Sequence, residues 1–417
     1  MIAALTHAMN LPPDIIEAGE RAWLRVAAVD YAAQRTVRRT MLAAFADADI
    51  VESDLHGTIG YGYDDAARDA YERVLARVFG AQRALARFSL VSGTHAIITA
   101  LAACTPLNSA VLSVTGRPYD TLRNALVDHP QSLVTRGIHY REVALCSDGS
   151  LDLQAIDDAL ARGAIGSIFV QRSRGYAPRP SLHIAQMQEL VQCVRKRAPS
   201  LPILVDNCYG ELIEEREPTH VGANLVMGSL IKNLGGSLAP GGAYVAGDAH
   251  LVERVANYHY APGLNTALGP TFGLGRLLVQ GLYLAPLVLE QTLRGLDFSA
   301  ALFSELGYTV DPLPGSIRTD IVQAIRLGSR ERLLAFARGL QRVMPINARF
   351  TPEPGAVPGY VDPVVMSGGA FVGGATIELS CDAPLREPWE VYVQGGVIAE
   401  QAYLGALMAA AQVQAAG

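Results

Sequence analysis

The stretch Gly228-Ser229-Leu230-Ile231-Lys232-Asn233-Leu234-Gly235-Gly236 decides how the chain is read. A lysine stands in an apolar, glycine-rich setting with a serine three residues before it. Upstream, Leu201-Pro202-Ile203-Leu204-Val205-Asp206-Asn207 is an apolar run ending in a carboxylate, and Asp206 precedes Lys232 by 26 residues. Taken singly, such a lysine reads as a solvated loop residue and such an aspartate as a helix cap. Together, a buried strand ending in Asp and a Ser-x-x-Lys on a short strand or turn suit a pyridoxal phosphate (PLP) site. The lysine amine bonds the aldehyde as a Schiff base, and the carboxylate keeps the pyridinium nitrogen protonated so that the ring acts as an electron sink.

Bulk properties set the frame. A chain of 417 residues, 50% hydrophobic and 18% charged, has the composition of a globular protein with two or three domains. The net charge of −6 and the lack of a long basic run argue against nucleic acid as a partner. Cys104, Cys146, Cys193, Cys208 and Cys381 are scattered without a CxxC, which fits reduced thiols in the cytoplasm and no structural metal site. Residues 1–10 lack the pattern of a signal peptide, and no run reaches the ~18 apolar residues of a membrane span.

Outward from the lysine, apolar runs alternate with amphipathic ones from about residue 85 to 250, the pattern of a mostly parallel sheet with right-handed helical crossovers. The stretch from Phe88 reads as a short strand entering Ser92-Gly93-Thr94 and then an Ala/Ile/Leu-rich helix. Such a turn sets free amides at a helix start, where a phosphate fits. Val111–Val114 reads as a strand leading to Tyr119, a candidate lid over a flat ring. Ile165–Gln171 leads to Arg172-Ser173-Arg174, placed at a strand C-terminal end where open α/β sheets bind ligands. Gly235, Gly236, Gly241 and Gly242 are read as letting backbone approach the cofactor. A helical stretch is expected over residues 11–50, and a long one over 271–295 with a kink at Pro286. Beyond it, residues 309–311, 321–325 and 375–379 read as strands, 330–344 and 396–415 as helices, and the Pro/Gly-rich 345–374 as a folded loop bordering the site. The expected division is an N-terminal helical arm (1–55), a large PLP-binding domain (56–285) and a small C-terminal α+β domain (286–417).

Six stretches in order resemble one family: Thr58–Asp65 (TIGYGYDD), Val91–Ile97 (VSGTHAI), Ser113–Leu122 (SVTGRPYDTL), Gln171–Leu182 (QRSRGYAPRPSL), Val205–Glu211 (VDNCYGE) and Ser229–Gly247. From roughly residue 15 to 410 the chain is similar to the methionine gamma-lyase-like, or aluminium-resistance, proteins of the cystathionine-metabolism branch of fold-type I PLP enzymes. Leu234 stands where that pattern usually has proline, and the segment Leu238–Gly242 also departs from it. The resemblance implies the fold-type I transferase fold, α/β, with a mostly parallel sheet flanked by helices and a smaller C-terminal domain. It implies Lys232 as the Schiff-base lysine, Asp206 as the pyridinium partner, and Ser92, Gly93, Thr94 and Ser229 as the phosphate cradle. It makes Tyr119 the ring-stacking tyrosine and an acid or base. Tyr61 or Tyr63 would reach the phosphate of a neighbouring subunit, in a homodimer or homotetramer with shared active sites. Arg386 is the first candidate for the substrate α-carboxylate, with Arg172 and Ser173 as lesser ones near the ring oxygen or carboxylate.

The implied activity is a lyase that removes a γ-substituent, such as a thiol or halide, from an amino acid. Lys232, its pKa lowered by desolvation and nearby positive charge, would be the general base. A β-lyase or γ-replacement synthase on the same fold, and a PLP-fold protein that binds partners without turnover, are alternatives. A nicotinamide dehydrogenase is disfavoured, since G-x-G-x-x-G is absent from the stretch around Lys232.

Overall fold

The structure, a computed structural model, describes residues 1–7 and 9–417; Ala8, within the expected N-terminal arm, lies outside the described residues. Two sheets organise the chain. The first has seven strands: β1 (Arg83–Arg87), β2 (Ala110–Ser113), β3 (His139–Glu142), β4 (Ile165–Gln171), β5 (Ile203–Asp206), β6 (Leu225–Ser229) and β7 (Ala243–Gly247). Their order is β1-β7-β6-β5-β4-β2-β3, and only β7 runs against its neighbours. Strands β4 to β7 are almost wholly buried, so their apolar runs are continuous and not alternating, as a sheet covered on both faces requires. The second sheet is antiparallel: β8 (Thr309–Asp311), β9 (Val322–Arg326), β10 (Val364–Gly368), β11 (Ser380–Pro384) and β12 (Glu390–Gln394), in the order β10-β11-β12-β9-β8.

Side-chain caps start several helices. Asp65 accepts the Arg68 amide before the helix Ala66–Val78, Ser92 accepts the His95 amide before Gly93–Cys104, and Ser329 accepts the Arg332 amide before Arg330–Gln341. The helix Gly275–Glu305 packs on the N-terminal helices and on Ala399–Ala415, contacts β8, β9 and β12 of the second sheet directly, and meets the first sheet through the turn after Lys232. Pro286 lies inside it, and so does the boundary expected between residues 285 and 286.

Four local expectations need correcting. The helical stretch over 11–50 is two helices, Pro13–Ala27 and Ala32–Ala48, separated by a break over 28–31. The first strand ends at Arg87, and Phe88 to Leu90 form a turn, because the β1 ladder with β7 runs from Arg83 to Arg87. Residues 375–379 form turns and no strand. The Glu378 carboxylate draws that segment inward by accepting the Phe371 and Val372 amides, at 2.7 and 3.3 Å, and the strand starts at Ser380. The apolar Ile377 and Leu379 are buried all the same, so their hydrophobicity served the core and not a ladder. The loop 345–374 contains a strand, β10.

Gly236, one of the glycines after Lys232, serves the packing of the lysine loop. Gly236 has φ +50°, and a Cβ there would come within 2.3 Å of the Gly281 carbonyl. The lysine loop therefore closes onto the helix Gly275–Glu305, backbone against backbone. Leu234, the departure from the family pattern, is fully buried in that packing.

Candidate active site

The parallel register brings three strand ends together. Gln171 pairs with Asp206 and Asp206 with Met227, so β4, β5 and β6 deliver Gln171, Asp206 and Ser229 to one edge. Opposite them stands the start of the helix Gly93–Cys104. Between these lies a chamber of about 300 Å³ whose lining includes Ser92, Gly93, Thr94, Tyr119, Asp206, Ser229 and Lys232. Residues separated by 140 positions in the chain meet there, and all seven stood among the candidates.

The chamber has the chemistry of an anion-binding end and an acidic end. The Ser92 hydroxyl is committed to the His95 amide at 3.1 Å, which leaves the Gly93 and Thr94 amides at the helix start for an anion. A Cβ on Gly93 would stand 3.0 Å from Cys208 Sγ and 3.5 Å from the Ser229 nitrogen, so only glycine sits there without displacing its neighbours. At the acidic end Asp206 is buried, and its Oδ1 accepts the Cys208 amide at 3.1 Å. Burial pushes its carboxyl up to about 6, against the Cys208 contacts and the charges of Lys232 and Arg179. Among the described residues no cationic side chain hydrogen-bonds it. A protonated ring nitrogen supplies the charged N–H that such a carboxylate lacks, so the donor set fits PLP.

Tyr119 forms one wall. Its hydroxyl lies 2.8 Å from Thr94 Oγ1, and its amide donates to Gln171 Oε1 at 3.1 Å. Removal from bulk water, with the Asp206 charge nearby, holds its phenol well above the usual tyrosine value. It is therefore a proton donor at neutral pH and not a ready base. Lys232 caps the short turn Asn233–Gly235 and donates to the Tyr209 hydroxyl at 3.0 Å. Burial works to lower its pKa, but Tyr209, Cys208 and Glu211 outweigh it and hold the ammonium above the ordinary lysine value. The expected lowering by a neighbouring cation is thus reversed: the groups that set this pKa are acids and hydroxyls.

The other candidates are distributed differently. Arg172 is fully buried and does not line the chamber. Its guanidinium is spent on Asn207 Oδ1 (2.8 Å), the Gly210 carbonyl (2.8 Å) and Glu214 Oε2 (2.6 Å), tying the β4 and β5 loops together. A substrate carboxylate cannot reach it, which corrects its assignment as a substrate residue. Ser173 does line the chamber, with its hydroxyl donating to Asp320 at 2.6 Å. Arg386 lies in an adjoining chamber of about 440 Å³, 3.2 Å from Asp362 and 3.7 Å from Asp120. Tyr119, Gln171, Tyr176 and Tyr360 line both chambers. Tyr61 and Tyr63 are exposed on the Thr58–Asp65 loop, outside this chain's own chamber.

Among the lining residues not singled out from sequence are Tyr176, Tyr209, Tyr360 and Thr121. Tyr176 and Tyr209 belong to quoted motifs, so their stretches were flagged while their side chains were not. Tyr360 carries no local signal, because it enters from the Pro/Gly-rich segment through a stack with Tyr176 at 5.4 Å.

Residues 16–414 match the family model described as methionine gamma-lyase. The uncharacterized protein YnbB of Bacillus subtilis is 42% identical over 351 residues, covering 83% of each chain. A carbon-sulfur lyase involved in aluminum resistance from Clostridium novyi superposes with a TM-score of 0.93, at 35% identity and 98% coverage of each chain. The cystathionine gamma-lyase from yeast shares the fold, with a TM-score of 0.58 at 17% identity over 84% of this chain and 86% of that one. With a family model spanning nearly its whole length, this chain belongs to the methionine gamma-lyase family.

Proposed function

We propose that the protein is a PLP-dependent lyase that eliminates a γ-substituent, a thiol or a group of similar leaving ability, from an amino acid. The observation that carries this reading is the convergence of the Lys232 amine, the buried Asp206 carboxylate and the Tyr119 ring on one chamber beside free helix-start amides. When bound there, PLP supplies an aldehyde for the substrate amine and a ring that accepts negative charge from the α-carbon.

The chain's own residues do the rest. The Gly93 and Thr94 amides and the Ser229 hydroxyl bind the phosphate. Asp206 holds the proton at the ring nitrogen. Lys232 Nζ, when free, would take the α-proton, release it, and then take the β-proton whose bonding electrons expel the γ-substituent. Tyr119, protonated at neutral pH, delivers a proton to the departing group. Arg386, half-exposed in the adjoining chamber, receives a carboxylate of the substrate. Ile59, Tyr61, Val91 and Phe272 leave apolar surface exposed, and this supports a homodimer or homotetramer in which Tyr61 or Tyr63 completes a neighbour's phosphate site.

The relative described as a carbon-sulfur lyase supports sulfur at the leaving group. The test is an absorbance spectrum of the purified protein beside Lys232→Ala, followed by product analysis with γ- and β-substituted amino acids. A violet-absorbing band lost in the variant, with a four-carbon 2-oxo acid, ammonia and thiol released, is the expected result. Release of pyruvate alone would make the enzyme a β-lyase. A colourless protein that gains no band with added PLP would remove the cofactor assignment.

A further inference from the structure

We propose that Tyr209 is the positioning residue of the reactive amine: its hydroxyl fixes Lys232 Nζ in the chamber and favours the protonated form whenever that amine is free. The proposal rests on Lys232 being the reactive amine and adds the group that controls it.

The contact is double. Nζ donates to the Tyr209 hydroxyl at 3.0 Å and stands 4.2 Å from the centroid of the same ring. Both the oxygen lone pair and the negative face of the ring favour an ammonium over a neutral amine. Among the described residues the Tyr209 hydroxyl is the amine's one hydrogen-bond partner.

Tyr209 is held where it is at a cost. Its φ is +71°, a region a bulky residue rarely occupies and keeps only where its surroundings over-determine it. The clamp is visible. The Tyr209 carbonyl accepts Asn233 Nδ2 at 2.9 Å and the Ile321 amide at 3.2 Å. Asn233 directly follows Lys232, so the lysine turn grips the backbone of the residue that grips the lysine side chain. Ile321 immediately precedes β9, so the second sheet holds the same carbonyl from the other side. A strained backbone, clamped at its carbonyl from both sides, at the residue that meets the reactive nitrogen points to a positioning role.

The remaining groups facing Lys232 act in the same direction from further off. Asp206, Cys208 and Glu211 face it from the segment beginning at the end of β5, and Asp382 from β11, while Tyr360 faces Tyr209. Burial opposes them all. Of this set only Tyr209 reaches Nζ by a hydrogen bond, so its hydroxyl is the part of the control that one substitution removes.

The test uses the full-length, cofactor-free protein. Lys232 is acetylated with acetic anhydride against an internal amine standard across pH, and the extent is read on its peptide by mass spectrometry. Tyr209→Phe is expected to move the midpoint to lower pH by about one unit, the size of one hydrogen bond to a charged group. Tyr209→Leu, which also removes the ring, moves it further. When PLP is then added, the pH profile for growth of its absorbance band shifts by the same amount. An unchanged midpoint in a folded Tyr209→Phe protein overturns the proposal. If that variant fails to fold, Asn233→Ala decides: it loosens the clamp, and a midpoint equal to wild type overturns the proposal equally. The acetylation needs no cofactor, so its outcome stands apart from whether PLP binds at all.

Discussion

The Tyr119 hydroxyl lies 2.8 Å from Thr94 Oγ1, joining the aromatic wall of the chamber to the helix start that faces an anion. One contact thus spans the two halves of the site, the phosphate end and the reacting end. The phenol stays protonated at neutral pH against that contact, since removal from water and the Asp206 charge both hold the proton on. Tyr119→Phe keeps the ring and loses the proton. PLP binding is expected to fall less than about tenfold, while kcat drops roughly 10²-fold or more, the usual worth of a positioned acid. Parallel measurement of PLP affinity and kcat checks this; equal losses in both would reduce Tyr119 to a binding residue.

Asp206 carries the opposite balance. Its carboxyl is pushed up to about 6 by burial in the cofactor-free protein, so it is only partly ionised in mildly acidic solution. PLP with a protonated ring nitrogen prefers the ionised carboxylate, so cofactor affinity rises as pH climbs from about 5 to 7. Asp206→Asn cannot ionise, and its PLP affinity is expected to be weaker and flat over that window. Fluorescence or absorbance titrations at pH 5, 6 and 7 distinguish the two proteins. A wild-type affinity without pH dependence would detach Asp206 from the ring nitrogen.

Legibility from sequence followed how local each cause was. Lys232, Asp206 and Ser229 were readable because each ends an apolar run of its own strand or the turn just after it, and the parallel register makes such ends neighbours. The Ser92-Gly93-Thr94 turn was readable because a helix cap is written in three residues. Tyr360 was not, because it reaches the chamber through stacking with Tyr176, 184 positions away. The 375–379 segment misled for a related reason. Its apolar residues serve burial, and the Glu378 carboxylate turns back to accept the Phe371 and Val372 amides of the preceding loop. Arg172 misled because a strand end offers its side chains to a site or to the adjoining loops, and only the folded neighbours Asn207 and Glu214 decide between them.

The two candidate arginines are expected to fail in different ways. Arg172→Ala leaves Glu214 and the fully buried Glu217 without their guanidinium, and breaking a buried pair costs about 3–5 kcal/mol. Its melting temperature should drop by several degrees, with PLP content falling alongside. Arg386→Ala removes a guanidinium with 40% side-chain exposure, so the fold and the bound cofactor should persist. Its effect is a KM raised roughly tenfold with kcat little changed, as loss of one charge-assisted contact to substrate requires. A stable Arg386→Ala enzyme with unaltered KM would send the search for the carboxylate partner elsewhere.

Glu211 gives the protein a pH-dependent stability of unusual sign. Its carboxyl is buried behind β6, where a Cβ on Gly228 would stand 2.5 Å from its Oε1, and Tyr244 donates to that oxygen at 3.0 Å. Among the described residues Oε2 has no partner. Burial first, and then the charges of Glu217 and Asp206, push the carboxyl up to about 8. In the unfolded chain the same group titrates near 4.5. Between these values the folded state binds more protons than the unfolded one, so stability falls as pH rises. The contribution is complete below about pH 4.5 and lost by about pH 8, on the order of 5 kcal/mol over the window. Glu211→Gln keeps an acceptor for Tyr244 and does not titrate. Asp206 titrates in both proteins, so the part of its shift that comes from burial cancels in the comparison. The melting temperature of the cofactor-free wild type should therefore fall between pH 5 and pH 8 by roughly 5 °C more than that of Glu211→Gln. Parallel curves for the two proteins would mean that Glu211 stays ionised in the fold and finds a proton donor beyond Tyr244.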